Sequence, residues 1–147
     1  MVDVEELKAR FLNLEYDTKA FEFDPAAVAE AARLAGETRP EFTDPTRDDF
    51  QVIPPFLASF ASGRRLPIDF PSLGGISMDG GKAVTSIAPV RADTKLTGKT
   101  HLHDIYDKSG RSGRMIFIVA RTELLDEAGT HYATVDARQV IREKPDQ

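Results

Sequence analysis

Met115-Ile116-Phe117-Ile118-Val119-Ala120-Arg121-Thr122-Glu123-Leu124-Leu125 decides the fold. Ile116, Ile118 and Ala120 alternate with Phe117, Val119 and Arg121, so the stretch is apolar on both faces over most of its length. It reads as the central strand of a sheet. Around it, Ala83–Val90, Lys95–Tyr106 and Thr130–Arg142 carry the same strand pattern. Turn signals separate them at Arg91-Ala92-Asp93, Lys108-Ser109-Gly110-Arg111-Ser112-Gly113 and Asp126-Glu127-Ala128-Gly129. The spacing predicts a four-strand antiparallel meander.

Upstream the pattern changes. Asp3 and Glu6 form a capping box for a helix that places Val4, Leu7, Phe11 and Leu14 on one face. Tyr16–Asp24 is a short strand with Phe21 and Phe23 on one side, and Asp24-Pro25 opens a second helix that Gly36 stops. Residues 37–53 read as a polar surface loop. Phe56-Leu57-Ala58-Ser59-Phe60-Ala61, preceded by Pro54-Pro55, reads as a buried apolar helix, and residues 62–81 as a linker without regular structure. One strand, then helices, then a meander describe an α+β domain over 1–147, a curved antiparallel sheet wrapped around a central helix: the hot-dog architecture.

Composition bounds the function. The 147 residues include no Cys, which excludes disulfide, zinc-ribbon and thiolate chemistry, and three His, which leaves few acid–base candidates. Net charge is −5, with 13 acids and 6 bases in residues 1–60 and 11 acids and 13 bases in residues 61–147. No nucleic-acid partner is expected from that balance, and no membrane partner, because no apolar run is long enough to span and no signal segment opens the chain. A soluble cytoplasmic protein is the expectation.

Three segments, in order, carry a resemblance. Ala35-Gly36-Glu37-Thr38-Arg39-Pro40-Glu41-Phe42-Thr43-Asp44 looks like the hydratase-2 motif G-D-x-N-P-x-H-x-D of MaoC-like dehydratases. Val52-Ile53-Pro54-Pro55-Phe56-Leu57 is similar to the segment that opens the hot-dog helix in that superfamily's N-terminal half-domains. Pro89-Val90-Arg91-Ala92-Asp93-Thr94-Lys95-Leu96 resembles its entry into the meander, and Tyr106 to Gly113 the hairpin that follows. The resemblance spans roughly residues 1–143.

Catalytic members of the family hydrate trans-2-enoyl-CoA or run the reverse dehydration. The motif's Asp and His handle the water, and an N–H at the helix start polarises the thioester. Here Glu37 stands for the Asp, Arg39 for the Asn and Phe42 for the His, and Pro54-Pro55 for the helix-opening H-G, so the oxyanion position Pro55 has no N–H. Arg39 is also placed to pair with Glu37 and lower its pKa. The resemblance therefore implies a non-catalytic half of a two-part enoyl-CoA hydratase, with no cofactor and no metal. Its expected partner is a catalytic MaoC-like half in a separate subunit, or a second copy, with acyl-CoA as substrate.

Phe56, Leu57 and Phe60 are the candidate acyl-pocket residues, or else plain core. Arg91, Arg111 and Arg114, with Lys108, are the candidate partners of coenzyme phosphates, or else a solvated hairpin tip. His101 and His103 share a strand face as a half-exposed pair rather than a ligand set, and His131 reads as a surface residue. The alternatives are a self-sufficient hot-dog thioesterase or hydratase, for which Ser59 is the best polar group near the helix, and a non-enzymatic acyl-CoA-binding homodimer.

Overall fold

The computed structural model describes residues 1–60 and 66–144, so the sequence expectations for Ala61 and for 62–65 lie outside the described residues. Helix α1, Val4–Phe11, starts where the Asp3 carboxylate accepts from the Glu6 N–H at 3.1 Å and buries Val4, Leu7 and Phe11. Leu14 does not join them; it is 47% exposed. The helix ends at Phe11, Asn13 adopts φ 61°, and its N–H donates to the Leu102 carbonyl at 2.7 Å, which turns the chain into a strand before another helical turn can form.

Strand β1, Glu15–Phe21, leads to α2, Pro25–Leu34, capped by Asp24 through the Ala26 N–H and ended by Gly36 at φ 81°. The polar loop contains a four-residue helix, α3, Pro40–Thr43. The expected buried helix is a six-residue 3₁₀ helix, Pro54–Ser59, with only Leu57 fully buried and Phe56 and Phe60 half-exposed. Two prolines in its first turn remove two donors, and a tighter, shorter helix is what remains.

β2, Ile76–Ser86, extends into the stretch read as linker: Gly74 and Gly75, both at positive φ, turn the chain, and a Cβ on Gly75 would meet the Arg142 carbonyl oxygen. β3, Leu96–Gly110, β4, Gly113–Leu125, and β5, His131–Arg142, complete one antiparallel sheet of order β1-β3-β4-β5-β2. β4 is central as expected, but the sheet is not a simple meander. β2 pairs with β5, from Ile76↔Arg142 to Ser86↔Ala133, and β1 takes the place beside β3.

Two core clusters cover the inner face. At one end α1 packs Val4, Leu7 and Phe11 on Leu102, Ile105, Ile116, Ile118 and Ile141. At the other, Val28 and Ala29 of α2, Leu57 and Phe21 pack on Leu96, Leu124, Ala133 and Val135. Between the clusters the Thr100 and Thr122 hydroxyls, both buried, meet at 2.8 Å. Two residues before Thr100 on β3, Gly98 leaves room for Phe21 of β1, since a Cβ there would stand 2.6 Å from the Phe21 ring.

Candidate functional site

The site begins where α2 stops. Gly36 releases the chain, and the Glu37 side chain folds back on the residues just ahead: Oε1 accepts from the Thr38 and Arg39 N–H groups at 3.1 and 3.0 Å and from Arg39 Nε at 2.9 Å, while Oε2 accepts from the second Arg39 donor at 3.0 Å. The Arg39 guanidinium and the two amides hold the carboxyl down at about 2. A carboxylate with both oxygens engaged and so low a pKa is a poor proton acceptor. The Arg39 guanidinium also lies over the Phe42 ring, 4.6 Å from its centroid, so the three altered motif positions form one small stack. Phe42 is half-exposed.

The rest of the loop is tied down in the same local way. Asp44 accepts from the Thr46 N–H and hydroxyl at 2.9 and 2.6 Å, and Arg47 forks onto Asp49 at 2.7 and 3.0 Å. The Gln51 N–H reaches the Glu41 carbonyl and the Val52 N–H the Val90 carbonyl, both at 2.8 Å, which sets the motif loop and the proline turn against the entry to β3.

At the turn, Pro54 and Pro55 have no N–H, and the first amide after them, Phe56, donates to the Ile53 carbonyl at 3.0 Å. The Ser59 hydroxyl is taken by the Phe56 carbonyl at 2.6 Å, and Lys82 of β2 holds the Ala58 carbonyl at 3.1 Å. Phe56 and Phe60 form an aromatic cluster with Phe21 and Phe23, centroids 4.7 to 6.3 Å apart. Lys82 was not singled out in the sequence; only its place beside the Gly80-Gly81 irregularity of β2 marks it.

The structure brings two of the candidate phosphate-binding cations, Arg111 and Arg114, to one cavity and leaves Arg91 apart from them. Arg91 is exposed beside the motif loop, paired through its backbone with Gln51. Arg111, in the turn after β3, and Arg114, on β4 across from Ser109, lie at the far end of β3, a strand of fifteen residues, or about 50 Å at ~3.3 Å per residue. Both line an 830 Å³ surface cavity with Gly74, Gly75, Ser112 and Lys144, where Arg114 is held by Asp107 at 2.8 Å, Glu143 at 3.0 Å and the Val2 carbonyl at 2.7 Å.

The histidines are placed as follows. His101 and His103 share a 3.4 Å contact, and burial, opposed by Glu123, holds the His101 imidazole below the usual histidine value. No group of three metal-ligating side chains occurs among the described residues. His131 is not a plain surface residue: half-buried in β5, its Nε2 lies 2.9 Å from the Ala133 carbonyl and 3.0 Å from the Thr134 hydroxyl.

Residues 14–135 match the family described as the FAS1-like dehydratase domain region. The chain belongs to this family. Its hot-dog fold is that of MaoC-like dehydratases. A MaoC-like dehydratase from Phytophthora capsici superposes with a TM-score of 0.67 at 22% identity, over 99% of this chain and 52% of that one, so this family member spans about half the length of that relative. The C-terminally truncated HadBC (3R-hydroxyacyl-ACP dehydratase) complex from Mycobacterium tuberculosis gives 0.64 at 16% identity, over 88% of this chain and 96% of that one. The ChsH1–ChsH2 complex from the same organism gives 0.66 at 11%, over 98% and 91%. No curated protein matches. No helix among the described residues is long and apolar enough to cross a membrane.

Proposed function

We propose that this FAS1-like dehydratase-region chain is the non-catalytic half of a two-part (3R)-hydroxyacyl thioester dehydratase or enoyl-CoA hydratase, shaping the acyl pocket for a catalytic MaoC-like half. The observation that carries this reading is the Glu37 carboxylate: both oxygens are engaged by Arg39 and the backbone, and its pKa is about 2, at the position where the family motif has its Asp. The prolines at the oxyanion position point the same way. Ser59, the polar group that a self-sufficient hot-dog thioesterase would draw on, is bonded within its own turn.

Phe56, Leu57 and Phe60 would line the acyl channel, and Arg91, beside the motif loop, is the cation placed to meet a coenzyme phosphate at this chain's own site. Arg111 would reach only a ligand seated against a second subunit. The partner would join at β2. β1 guards its edge with Glu15, Asp17 and Lys19, whereas the β2 edge presents Ile76 and Met78, 48% and 39% exposed. Two of the structural relatives are complexes of named components, HadBC and ChsH1–ChsH2, which supports a two-part assembly here.

The test is steady-state hydration of crotonyl-CoA by the purified chain, alone and with a co-expressed catalytic MaoC-like half, alongside light scattering. Expected are no turnover by the chain alone, a self-dimer that exchanges into a mixed complex, and activity in the complex. Robust turnover by the chain alone sinks the reading. Acyl-CoA binding by a homodimer that ignores every catalytic half would instead favour a binding module.

A further inference from the structure

β4 is apolar on both sides, and only one side faces the core. On the other, the register sets Tyr106, Phe117, Val140 and Met78 in a single line across β3, β4, β5 and β2. The Tyr106 and Phe117 rings stack with centroids 4.8 Å apart and planes 2° from parallel; Val140 is 8% exposed and Met78 39%. With strands about 4.8 Å apart, four side chains make a band about 15 Å long. Gly80 keeps it flat, since a Cβ there would stand 2.9 Å from side-chain carbons of Arg138 and Val140.

Three cations and one carboxylate flank this band; the carboxylate is Asp104, in the row of Val119 and Arg138. The Lys108 ammonium lies 5.8 and 5.6 Å from the two ring centroids, Arg142 sits across from Ile76 on one side of the line, and Arg138 across from Val119 on the other. None of the three has a carboxylate partner among the described residues, although Arg39, Arg47, Arg114 and Arg121 all do. In a chain of net charge −5, unpaired cations gathered around an apolar band mark a surface that awaits negative charge.

We infer that this outer sheet face docks an acidic amphipathic helix of a partner protein, its apolar stripe along the Tyr106-to-Met78 line and its carboxylates against Lys108, Arg138 and Arg142. Three turns of helix, about 16 Å, match the band. A second copy laid face to face would set three cations and one carboxylate against the same set, a net like charge on both sides. A helix brings its own protruding side chains to the band, whereas a bilayer would need side chains that stand out from the face, and Val119 and Val140 are flush at 6% and 8% exposure. Nucleic acid would need a longer basic track. The face meets the β2 edge at Met78, but strand pairing at β2 extends the sheet in its own plane and leaves Tyr106, Phe117, Lys108 and Arg138 open, so the peptide test and the hydration test read different surfaces.

The probe is a synthetic 16-residue helical peptide with Leu at i, i+3, i+4 and i+7 and Glu on both flanks, read by fluorescence anisotropy against the full chain. Its controls are the same peptide with Lys for Glu, and phosphatidylserine vesicles. The Glu peptide should bind, weaken with salt, and lose at least tenfold in affinity to the charge-reversal variant Lys108→Glu/Arg138→Glu/Arg142→Glu, whose fold is checked by circular dichroism. If that variant unfolds, Lys108→Glu alone should lose affinity in the same direction. No binding, equal binding of the Lys peptide, binding untouched by the reversals, or vesicle binding in the peptide's place would each overturn the inference. So would a change of oligomeric state on charge reversal, because a copy of the chain would then cover the face.

Discussion

The Glu37 carboxylate is held by one neighbour two residues away, Arg39. Removing the guanidinium in Arg39→Gln should raise the Glu37 pKa from about 2 towards the ordinary carboxylate range near 4.3, read by carboxyl-carbon NMR titration. The sign of the linkage follows: the folded pKa is depressed, so the stabilisation of the loop is fully present above about pH 4.5 and lost as pH falls towards 2. Protection of the loop amides should therefore be flat from pH 7 to 5 and decline below. A second residue, Arg114, joins Asp107, Glu143 and the Val2 carbonyl. Arg114→Ala should remove charge-assisted hydrogen bonds and cost about 1–3 kcal/mol, lowering the thermal midpoint by several degrees while leaving ligand affinity unchanged.

Among the described residues, β3 and β4 carry the one buried side-chain hydrogen bond that joins adjacent strands, between Thr100 and Thr122. Thr122→Val should strand the Thr100 hydroxyl in the core and cost about 1–3 kcal/mol, whereas Thr100→Val with Thr122→Val should come close to neutral. Urea unfolding of the two variants separates a hydrogen-bond effect from a packing one. In the same strand, Gly98→Ala should push on Phe21 and cost about 1–3 kcal/mol, because the Cβ would fall 2.6 Å from that ring. The 3₁₀ helix Pro54–Ser59 shows an element whose composition was legible and whose geometry was not: Phe56 to Phe60 is apolar as a buried helix is, yet two prolines at its start leave a short 3₁₀ helix with half-exposed phenylalanines.

For the whole molecule the proposed association is tested at β2, an edge strand of the sheet. Lysines placed on the exposed edge, Ala83→Lys with Thr85→Lys, should give a monomer by light scattering and abolish complementation of a catalytic half, without loss of folded signal. Rebuilding the motif with Glu37→Asp, Arg39→Asn and Phe42→His should still give no turnover in the crotonyl-CoA assay while Pro55 lacks an N–H, and adding Pro55→Gly should give measurable activity.

The sequence by itself determined what local spacing controls. Asp3 and Asp24 as caps, Gly36 as a stop, the Glu37–Arg39 pair and the central rank of β4 all depend on residues within a few positions of each other or on two-residue alternation. Tertiary structure alone decided the rest. Which strand lies beside which depends on backbone pairing across the chain, so β2 went to β5 and began seven residues earlier than its apolar pattern. Leu14 left the helix face because the Leu102 carbonyl drew the Asn13 amide into a strand. The separation of Arg91 from Arg111 and Arg114 by the length of β3 could be read only once the hairpin was in place, since distance along an extended strand, unlike helix or turn spacing, is not set by neighbouring side chains.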